Sequence, residues 1–293
     1  MTPAADAAPV APAADAAIVT SSPRWAAHLA LGFVRDGERT TLARRAHTGP
    51  LVVQKAFHPE GPGVCQVVVV HPPGGIAGGD DLALSVDVGD RAHAQVTTPG
   101  AAKWYRTDGA IAHQRVDVTV GAGGALEWMP QGAIVYDAAR TDSVLSFDLA
   151  DDATLIAWDV TCLGRHAMGE RFATGRWRQR IDIVRNGAPI WSERVNLMGG
   201  SRMLDARTGL NGAPVFGTFV AVSPRLNDAL VPRLRAVSPS AGEGAVTRLP
   251  DVLVARWRGP ASDAAQAWFV ALWSALRPAL LGRAAVPPRI WTT

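Results

Sequence analysis

Cysteine is scarce in this chain, which contains only Cys65 and Cys162 among its 293 residues. The two residues lie far apart in apolar sequence, and neither belongs to a CxxC pair. The HExxH pattern of zinc peptidases is also missing, so none of the common zinc motifs occurs. We expect a reducing compartment without a disulfide, and two cysteines that serve as small buried hydrophobic side chains.

Long hydrophobic runs are also missing, although 48% of the residues are hydrophobic. No apolar stretch approaches the roughly 20 residues that a transmembrane helix needs. Residues 1–22 are rich in Ala and Pro, and they lack the basic and apolar regions of a signal peptide. We therefore expect a disordered tail at 1–22, a single domain at 23–293, and a cytoplasmic protein that does not bind membranes.

Lysine is nearly absent, since Lys55 and Lys103 are the only two and all other basic residues are arginine. With 29 basic and 26 acidic side chains, the formal net charge is +3. Arginine suits paired, partly buried contacts better than lysine does. Because the basic residues are scattered along the chain, the sequence does not indicate nucleic-acid binding, whereas an acidic protein partner is compatible with it.

Signatures of familiar enzymes are missing as well. The GxSxG pentapeptide of elbow-type serine hydrolases does not occur. Asp80 and Asp81 are adjacent, but neighbouring residues of a strand point to opposite faces. The sequence therefore contains no ready-made catalytic constellation.

Three carboxylates stand in otherwise apolar strand segments, namely Glu127, Asp159 and Glu193. Because alternate residues of a one-sided sheet face solvent, the outward orientation is the more frequent one for such residues. A carboxylate that faces inward has to be paired, hydrogen-bonded, hydrated or protonated. The sequence leaves both orientations open for each of the three.

Short strands with frequent turns dominate the chain from about 29 to 222. Apolar and polar residues alternate at 116–120, 145–149 and 181–183. This period of two favours a mainly β body, either a two-layer sandwich or a solenoid, over an α/β fold. No exact repeat is visible, so the pattern does not decide between sandwich and solenoid.

Two helical segments are predicted after the β body. The first covers about 225–237 and is weakened by Pro232, and the second covers 262–281. Ser262 is the predicted N-cap of the second helix, and Pro278 is predicted to kink or end it. Its broad, tryptophan-rich apolar stripe suits packing on the sheet or a partner interface.

A loop at 71–81 contains four glycines and two prolines between two predicted strands. A P-loop would carry Lys and Ser or Thr after its last glycine, but here Asp80 and Asp81 bring the wrong charge for phosphate. The dinucleotide-binding fingerprint needs another spacing and a following helix. Two interpretations stay open: a structural corner, or a binding or conduit loop with Asp80 and Asp81 at its lip.

Five short motifs follow one another along the chain. They are HPPGGIAGGD at 71–80, TPGAAKWYR at 98–106, LEWMPQ at 126–131, WDVTCLGR at 158–165 and PPRIW at 287–291. Together they resemble the UreD family of urease accessory proteins, also called UreH, from about Trp25 to the C terminus. The motif residues that carry this resemblance most clearly are His71, Gly74, Gly75, Gly78, Gly79, Lys103, Tyr105, Arg106, Gly164 and Arg165.

The resemblance implies a β-helical body with a small helical portion toward the C terminus, and no enzymatic activity of its own. It implies a scaffold that binds UreF and, through UreF, the GTPase UreG, and that brings this assembly to apo-urease for nickel insertion. No tightly bound cofactor is implied, only Ni²⁺ in transit through a tunnel in the β body.

The resemblance also implies roles for particular residues. Acidic positions that are important in the family correspond to Asp80, Asp159 and Glu193, which we expect along the nickel route. The region that meets UreF corresponds to the C-terminal helix. The side chains expected at that contact are Trp268, Phe269, Leu272 and Trp273.

Sparse carboxylates in an apolar body are chemically suited to nickel in transit, because oxygen ligands bind Ni²⁺ weakly enough to release it. The same carboxylates are equally suited to structural or interface roles. The alternative function is a β-helical hydrolase that uses Asp80 or Asp81 with Asp159 as an acid/base pair. That chemistry needs carboxyl groups about 5 Å apart, or roughly 6.5–9.5 Å apart for inversion.

Overall fold

The computed structural model describes residues 25–292 and shows a chain built mainly of β-strands. The predicted tail at 1–22 lies outside the described residues. The strands form two large sheets that enclose a shared apolar core. The prediction of a mainly β protein with a small helical portion near the C terminus is therefore confirmed.

The first sheet contains seven strands. In chain order they are β1 (Ala26–Asp36), β2 (Arg39–Thr48), β6 (Asp81–Val88), β9 (Ala112–Val120), β12 (Thr141–Leu149), β14 (Arg176–Arg185) and β15 (Ala188–Met198). Their order across the sheet is β15-β14-β12-β9-β6-β1-β2.

The second sheet contains eleven strands. Eight of them form its main path, namely β3 (Val52–Phe57), β4 (Cys65–Val70), β7 (His93–Thr97), β10 (Ala125–Met129), β13 (Thr154–Leu163), β16 (Val215–Val222), β17 (Glu243–Arg248) and β18 (Leu253–Gly259). The other three are the short strands β5 (Gly75–Ile76), β8 (Ala102–Trp104) and β11 (Ala133–Val135). Of these, β11 pairs with β13, β8 pairs with β11, and β5 pairs with β8.

Parallel pairing between successive coils makes the body solenoid-like. In the first sheet β6, β9, β12 and β14 pair in parallel, and in the second sheet β4, β7, β10 and β13 do the same. The short strands β5, β8 and β11 also pair in parallel and form a third face. One coil therefore runs through β4, β5 and β6, and the next through β7, β8 and β9. The coils differ in length, which explains why no regular repeat is visible in the sequence.

Alternate residues of the first sheet point into the core between the sheets. Val116, Val118 and Val120 of β9 are at most 2% exposed. Leu145 and Phe147 of β12 lie beside Val116 and Val118 in register. Burial of each such side chain contributes about 1.5–3 kcal/mol, so stacked apolar rows hold neighbouring coils together. The predicted period of two is confirmed for these strands.

The second sheet continues beyond residue 222, where the sequence predicts the β body to end. β18 and β17 follow β16 in antiparallel order and extend the sheet at one edge. Only Val246 of β17 is buried, so this strand lacks the apolar alternation that would have indicated it. The predicted end of the β body at 222 is therefore wrong.

Three α-helices complete the described chain: α1 (Arg202–Asp205), α2 (Leu230–Arg235) and α3 (Ser262–Leu281). Two short 3-10 helices cover His166–Met168 and Arg289–Thr292. The helix predicted at about 225–237 is shorter than expected, because Asn227 Oδ1 accepts a hydrogen bond from the backbone N–H of Ala229 and forms a turn before α2. No helix in residues 25–292 is long and apolar enough to cross a membrane.

Helix α3 packs on the face of the second sheet that is turned away from the first sheet. The second sheet is therefore buried on both faces where α3 covers it. The N-cap of α3 is Ala261 rather than Ser262, and the helix continues past Pro278 to Leu281. It ends where Gly282 adopts a φ of 67° and donates its N–H to the carbonyl of Pro278.

Candidate functional site

The glycine-rich loop lies on the third face of the solenoid, where β5 pairs with β8 of the next coil. Gly75 packs so closely under the Tyr105 ring that a Cβ atom would overlap it, and Gly78 is similarly crowded. Gly74 and Gly79 have φ values of 77° and 93°. The glycines therefore serve close packing and left-handed backbone, which favours the interpretation of this loop as a structural corner.

Asp80 closes this loop and is only 5% exposed. Its Oδ2 accepts a hydrogen bond from the N–H of Ala77 at 2.8 Å, and its Oδ1 accepts one from the N–H of Trp25 at 3.2 Å. Both carboxylate oxygens thus hold backbone groups, one within the loop and one at the start of β1. A contact between Asp80 and nickel stays a prediction.

Other motif residues meet beside the loop in an aromatic and charged cluster. The Arg165 guanidinium lies 4.4 Å from the centre of the Tyr136 ring, and the Tyr105 ring is 5.2 Å from Tyr136 in an edge-on arrangement. Glu170 pairs with Arg165 at 2.5 Å and with Arg106 at 3.6 Å. The sequence did not indicate Tyr136 or Glu170, because pairing across coils brings them to the motif residues.

The remaining motif residues have different surroundings. Gly164 has a φ of 85° and packs against the backbone of Glu170 and Arg171, so a side chain there would overlap that backbone. Lys103 is exposed on β8. His71 starts the glycine-rich loop and faces the interior of the body.

A cavity of about 300 Å³ lies between the two sheets, with part of the glycine-rich loop in its wall. Its wall is mostly apolar and includes three tryptophan rings. The polar side chains among its lining residues include His71, Gln114, Ser143, Asp159 and Gln179. A cavity of this size and lining has room for several water molecules or a hydrated ion.

His71 contributes an imidazole to the wall of the cavity. Its Nε2 is buried and has no hydrogen-bond partner among the described residues. Burial lowers the pKa of His71, and the negative charge of Asp80 only partly opposes that shift. The imidazole is therefore neutral at neutral pH, the form that binds metal ions.

Asp159 on β13 contributes the carboxylate of the cavity. Its Oδ2 accepts hydrogen bonds from Gln179 Nε2 at 2.7 Å and from Thr161 Oγ1 at 3.4 Å. Burial raises the pKa of Asp159 above its ordinary value, and the charge of nearby Glu193 raises it further, while the two hydrogen bonds offset part of the shift. The protein thus keeps a carboxyl group where ionisation is unfavourable.

Glu193 on β15 is close enough to Asp159 to influence its charge, but its own oxygens are engaged elsewhere. Oε1 accepts a hydrogen bond from Thr218 Oγ1 at 2.8 Å, and Oε2 pairs with Arg256 at 2.5 Å. Its side chain is 11% exposed. Of the three acidic residues expected along a nickel route, Asp159 lines the cavity, Glu193 lies nearby, and Asp80 belongs to the loop.

The pair needed by the alternative hydrolase is not assembled in the cavity. Asp159 lines it, but Asp80 does not, and both oxygens of Asp80 already accept backbone hydrogen bonds. Asp81 is exposed at the start of β6. The geometry therefore gives no support to an acid/base pair made of these residues.

A largely buried ion cluster joins α3 to the β body. The Arg277 guanidinium pairs with Glu127 (Nε to Oε2, 2.8 Å) and with Glu60 (Nη1 to Oε2, 2.6 Å). His93 Nε2 lies 2.7 Å from Glu127 Oε1, and Trp273 Nε1 donates to Glu127 Oε2 at 2.5 Å. Glu127 therefore does not face solvent, the more frequent orientation for such a strand residue, because α3 covers the face of the sheet to which this side chain points.

The partners of Glu127 decide its protonation. Burial by itself would raise the pKa of Glu127, but the hydrogen bond and charge of His93 and those of Arg277 together hold this pKa below its ordinary value. The cluster therefore contains a charged carboxylate inside the protein. Its role is to dock the helix.

The four α3 side chains expected to meet a partner lie inside the chain instead of on its surface. They belong to the core between α3 and the second sheet and are at most 3% exposed; they are Trp268, Phe269, Leu272 and Trp273. The outward face of α3 carries Ala267, Ala271, Ser274 and Pro278, all exposed. A partner contact of α3 stays a prediction, and in this conformation it would have to use the outward face.

Metal-binding and thiol chemistry are limited in the described part of the chain. Within residues 25–292 no group of three or more His, Cys, Asp or Glu side chains is arranged to hold a metal ion. Cys65 and Cys162 are both free thiols. Burial raises the pKa of Cys65 to about 11 and also raises that of Cys162, so both thiols stay protonated at neutral pH.

Comparison with known proteins gives matches along nearly the whole chain. Residues 26–292 match the family model of the UreD urease accessory protein. The chain is 51% identical over 276 residues to the urease accessory protein UreD of Dechloromonas aromatica (strain RCB). This alignment covers 93% of this chain and 96% of that protein. It is 49% identical over 277 residues to the protein of the same name from Azoarcus sp. (strain BH72), with 94% and 97% covered. Identity to the Pseudomonas aeruginosa PAO1 protein is 48% over 272 residues, with 92% and 96% covered.

Proposed function

This chain belongs to the UreD family of urease accessory proteins, and we propose that it is a non-catalytic scaffold for the maturation of urease. In this proposal it binds UreF and, through UreF, the GTPase UreG. The assembly then holds apo-urease while nickel enters the active site. The observation that carries the proposal is the family match, which extends over residues 26–292.

The cavity between the sheets supports the nickel part of the proposal. The neutral imidazole of His71 and the carboxyl group of Asp159 both line this mainly apolar chamber. Nickel is the cargo here, and cargo needs ligands that release it. One imidazole and one carboxyl group are suitable nickel ligands, and a set this small holds the ion only briefly. Because the pKa of Asp159 is raised, proton binding competes with nickel and weakens the contact further.

The test is activation of urease in cells that also produce UreF and UreG and that carry this chain or a variant. We expect Asp159→Asn to lower the nickel content of purified urease and its activity severalfold, while UreF and UreG still co-purify with the chain. The matched control is Asp148→Asn, which removes an exposed carboxylate of β12. Full activation by Asp159→Asn would refute the nickel route. Full activation without this chain would refute the scaffold itself.

A further inference from the structure

A second concave region, which we call the arginine pocket, lies where strands of the first sheet turn into strands of the second sheet. It encloses about 620 Å³, and its lining is mainly polar. Four arginines line it, namely Arg35, Arg91, Arg225 and Arg283. Two acidic residues, Glu38 and Asp152, are the only carboxylates among its described lining residues.

The four arginines come from segments that are distant in sequence. Arg35 lies near the end of β1, and Arg91 occupies the turn between β6 and β7 with a φ of 56°. Arg225 follows β16, and Arg283 comes directly after the C-cap of α3. Only the folded chain brings these charges to one concave surface.

The carboxylates of the pocket neutralise few of these charges. Glu38 pairs with Arg35 at 3.0 Å, but its side chain is 95% exposed. Asp152 Oδ1 accepts a hydrogen bond from the N–H of Gly123 at 2.7 Å and holds that turn. Three of the arginines have no carboxylate partner within residues 25–292, namely Arg91, Arg225 and Arg283. The pocket therefore has a positive excess.

Two guanidinium groups also lie beside Gly63. A Cβ atom at Gly63 would lie 2.6 Å from Arg283 Nη2 and 3.5 Å from Arg35 Nη1. Like charges in one concave region repel each other, and a bound anion would relieve that repulsion. Because Gly63 has no side chain, it leaves room for both guanidinium groups, and Arg35 Nη1 also donates to the Gly63 carbonyl at 3.4 Å.

The shape and lining of the pocket favour one class of ligand. Among its described lining residues there is no Trp, Tyr or Phe on which a nucleotide base could stack. Its volume far exceeds that of one small oxyanion, and its four arginines come from four separate segments of the chain. We propose that the arginine pocket binds an acidic, extended segment of a partner protein, whose carboxylates pair with Arg91, Arg225 and Arg283. This inference is independent of the proposed function.

The experiment measures binding of a fluorescein-labelled hexaglutamate peptide to the full chain by fluorescence anisotropy. A Gly-Ser peptide of equal length is the negative probe, and salt at about 0.05 M and about 0.3 M reports the electrostatic part. We expect hexaglutamate to bind more tightly than the Gly-Ser peptide and to weaken with salt. The triple variant Arg91→Gln/Arg225→Gln/Arg283→Gln should lose about threefold to a hundredfold in affinity, since each exposed ion pair contributes about 1.4-fold to fivefold.

The matched control is Arg44→Gln/Arg202→Gln/Arg233→Gln, which removes the same charge from exposed arginines outside the pocket. Glu38→Gln removes the exposed carboxylate of the pocket and should tighten binding, a gain that misfolding cannot imitate. Equal losses in both triple variants, no binding of hexaglutamate, or no gain with Glu38→Gln would overturn the proposal. Inorganic phosphate, tested at equal ionic strength, gives a further check. If phosphate displaces the peptide and binds as tightly as the peptide does, the pocket is a simple oxyanion site and the proposal is overturned.

Discussion

At the scale of single residues, Asp159 has surroundings that oppose its own ionisation. It lies in the wall of a mainly apolar cavity with Glu193 nearby, and both burial and that negative charge raise its pKa. Gln179 and Thr161 donate hydrogen bonds to Asp159 that offset only part of this rise in pKa. A group that weakens the fold in its charged form is a candidate for a functional role.

We expect Asp159→Asn to stabilise the fold at neutral pH, because asparagine keeps an acceptor for Gln179 and carries no charge. A carboxyl group whose pKa is higher in the folded state than in the unfolded chain destabilises the fold once the pH rises above its unfolded value, near 3.9. The gain in unfolding free energy of Asp159→Asn over the wild-type chain should therefore grow as the pH rises above about 4 and vanish below that pH. Urea unfolding across this pH range measures it, with Asp148→Asn as the control that changes little. Lower stability of Asp159→Asn at neutral pH would contradict the raised pKa.

Asp80 gives a second prediction at this scale. Asp80→Ala removes the acceptor of two part-buried hydrogen bonds, from the backbone N–H groups of Ala77 and Trp25, and each such bond contributes about 0.5–1.5 kcal/mol. The free energy of unfolding should therefore fall by a few kcal/mol, whereas Asp81→Ala at the exposed neighbour should change it little. If Asp80→Ala instead leaves stability unchanged and impairs only nickel loading of urease, the structural role is wrong and the nickel contact is supported.

At the scale of elements, the docking of α3 combines an apolar face with one buried ion cluster. The helix buries two tryptophans and a phenylalanine against the second sheet. Arg277 adds charged hydrogen bonds to Glu127 of β10 and to Glu60 of the β3–β4 connection. Such a cluster makes the position of the helix specific, because a shifted helix would leave charges unpaired.

We expect Arg277→Met to destabilise the protein by about 3–5 kcal/mol, because it leaves buried carboxylates without their cation. Adding Glu127→Gln should recover part of the loss, and a double-mutant cycle of unfolding free energies measures that coupling. Equal losses in the single and double variants would contradict an uncompensated charge as the cause.

The same cluster predicts a response to acid. The pKa of Glu127 is lower in the folded state than its ordinary value. Its contribution to stability is therefore fully present above the unfolded pKa, near 4.3, and is lost as the pH falls through the folded value. The wild-type chain should lose more stability between about pH 5 and pH 3 than Glu127→Gln does, as measured by urea unfolding. Parallel losses would contradict the lowered pKa.

At the scale of the whole molecule, the second sheet is covered on both faces where α3 packs on it, the first sheet faces the core on one side, and the outward face of α3 stays exposed. Small residues dominate that face, with Ala267, Ala271 and Ser274 exposed. Small side chains allow the backbone of a partner to approach closely. In the proposed assembly this face is therefore the part of α3 that can contact UreF.

Ala271→Arg should reduce co-purification of UreF without lowering the melting temperature, because the new side chain projects from the outward face. Ala46→Arg, at an exposed position of β2, is the control and should retain UreF. Trp273→Arg is expected to displace α3 from the second sheet instead, since Trp273 is fully buried and donates a hydrogen bond to Glu127. Full retention of UreF by Ala271→Arg would exclude the outward face of α3 from the contact.

Local patterns were sufficient for the family, the mainly β class and the long C-terminal helix. The alternation at 116–120 and the apolar stripe at 262–281 each depend on neighbours within a few residues, and so do the short motifs. The order of coils and the strands β17 and β18 could not be predicted in this way. Their pairing joins segments that carry no matching signal in sequence.

The orientation of the carboxylates is what only the tertiary structure decided. Glu127 and Asp159 look alike in sequence, since each interrupts an apolar strand, yet one holds a helix and the other lines a cavity. The difference depends on what covers each face of the second sheet, and that cover comes from residues far along the chain, with Arg277 lying 150 positions after Glu127. Burial and charge pairing are properties of the assembled layers, so the sequence by itself determined the family to which the chain belongs, and the fold decided which of its acids face inward.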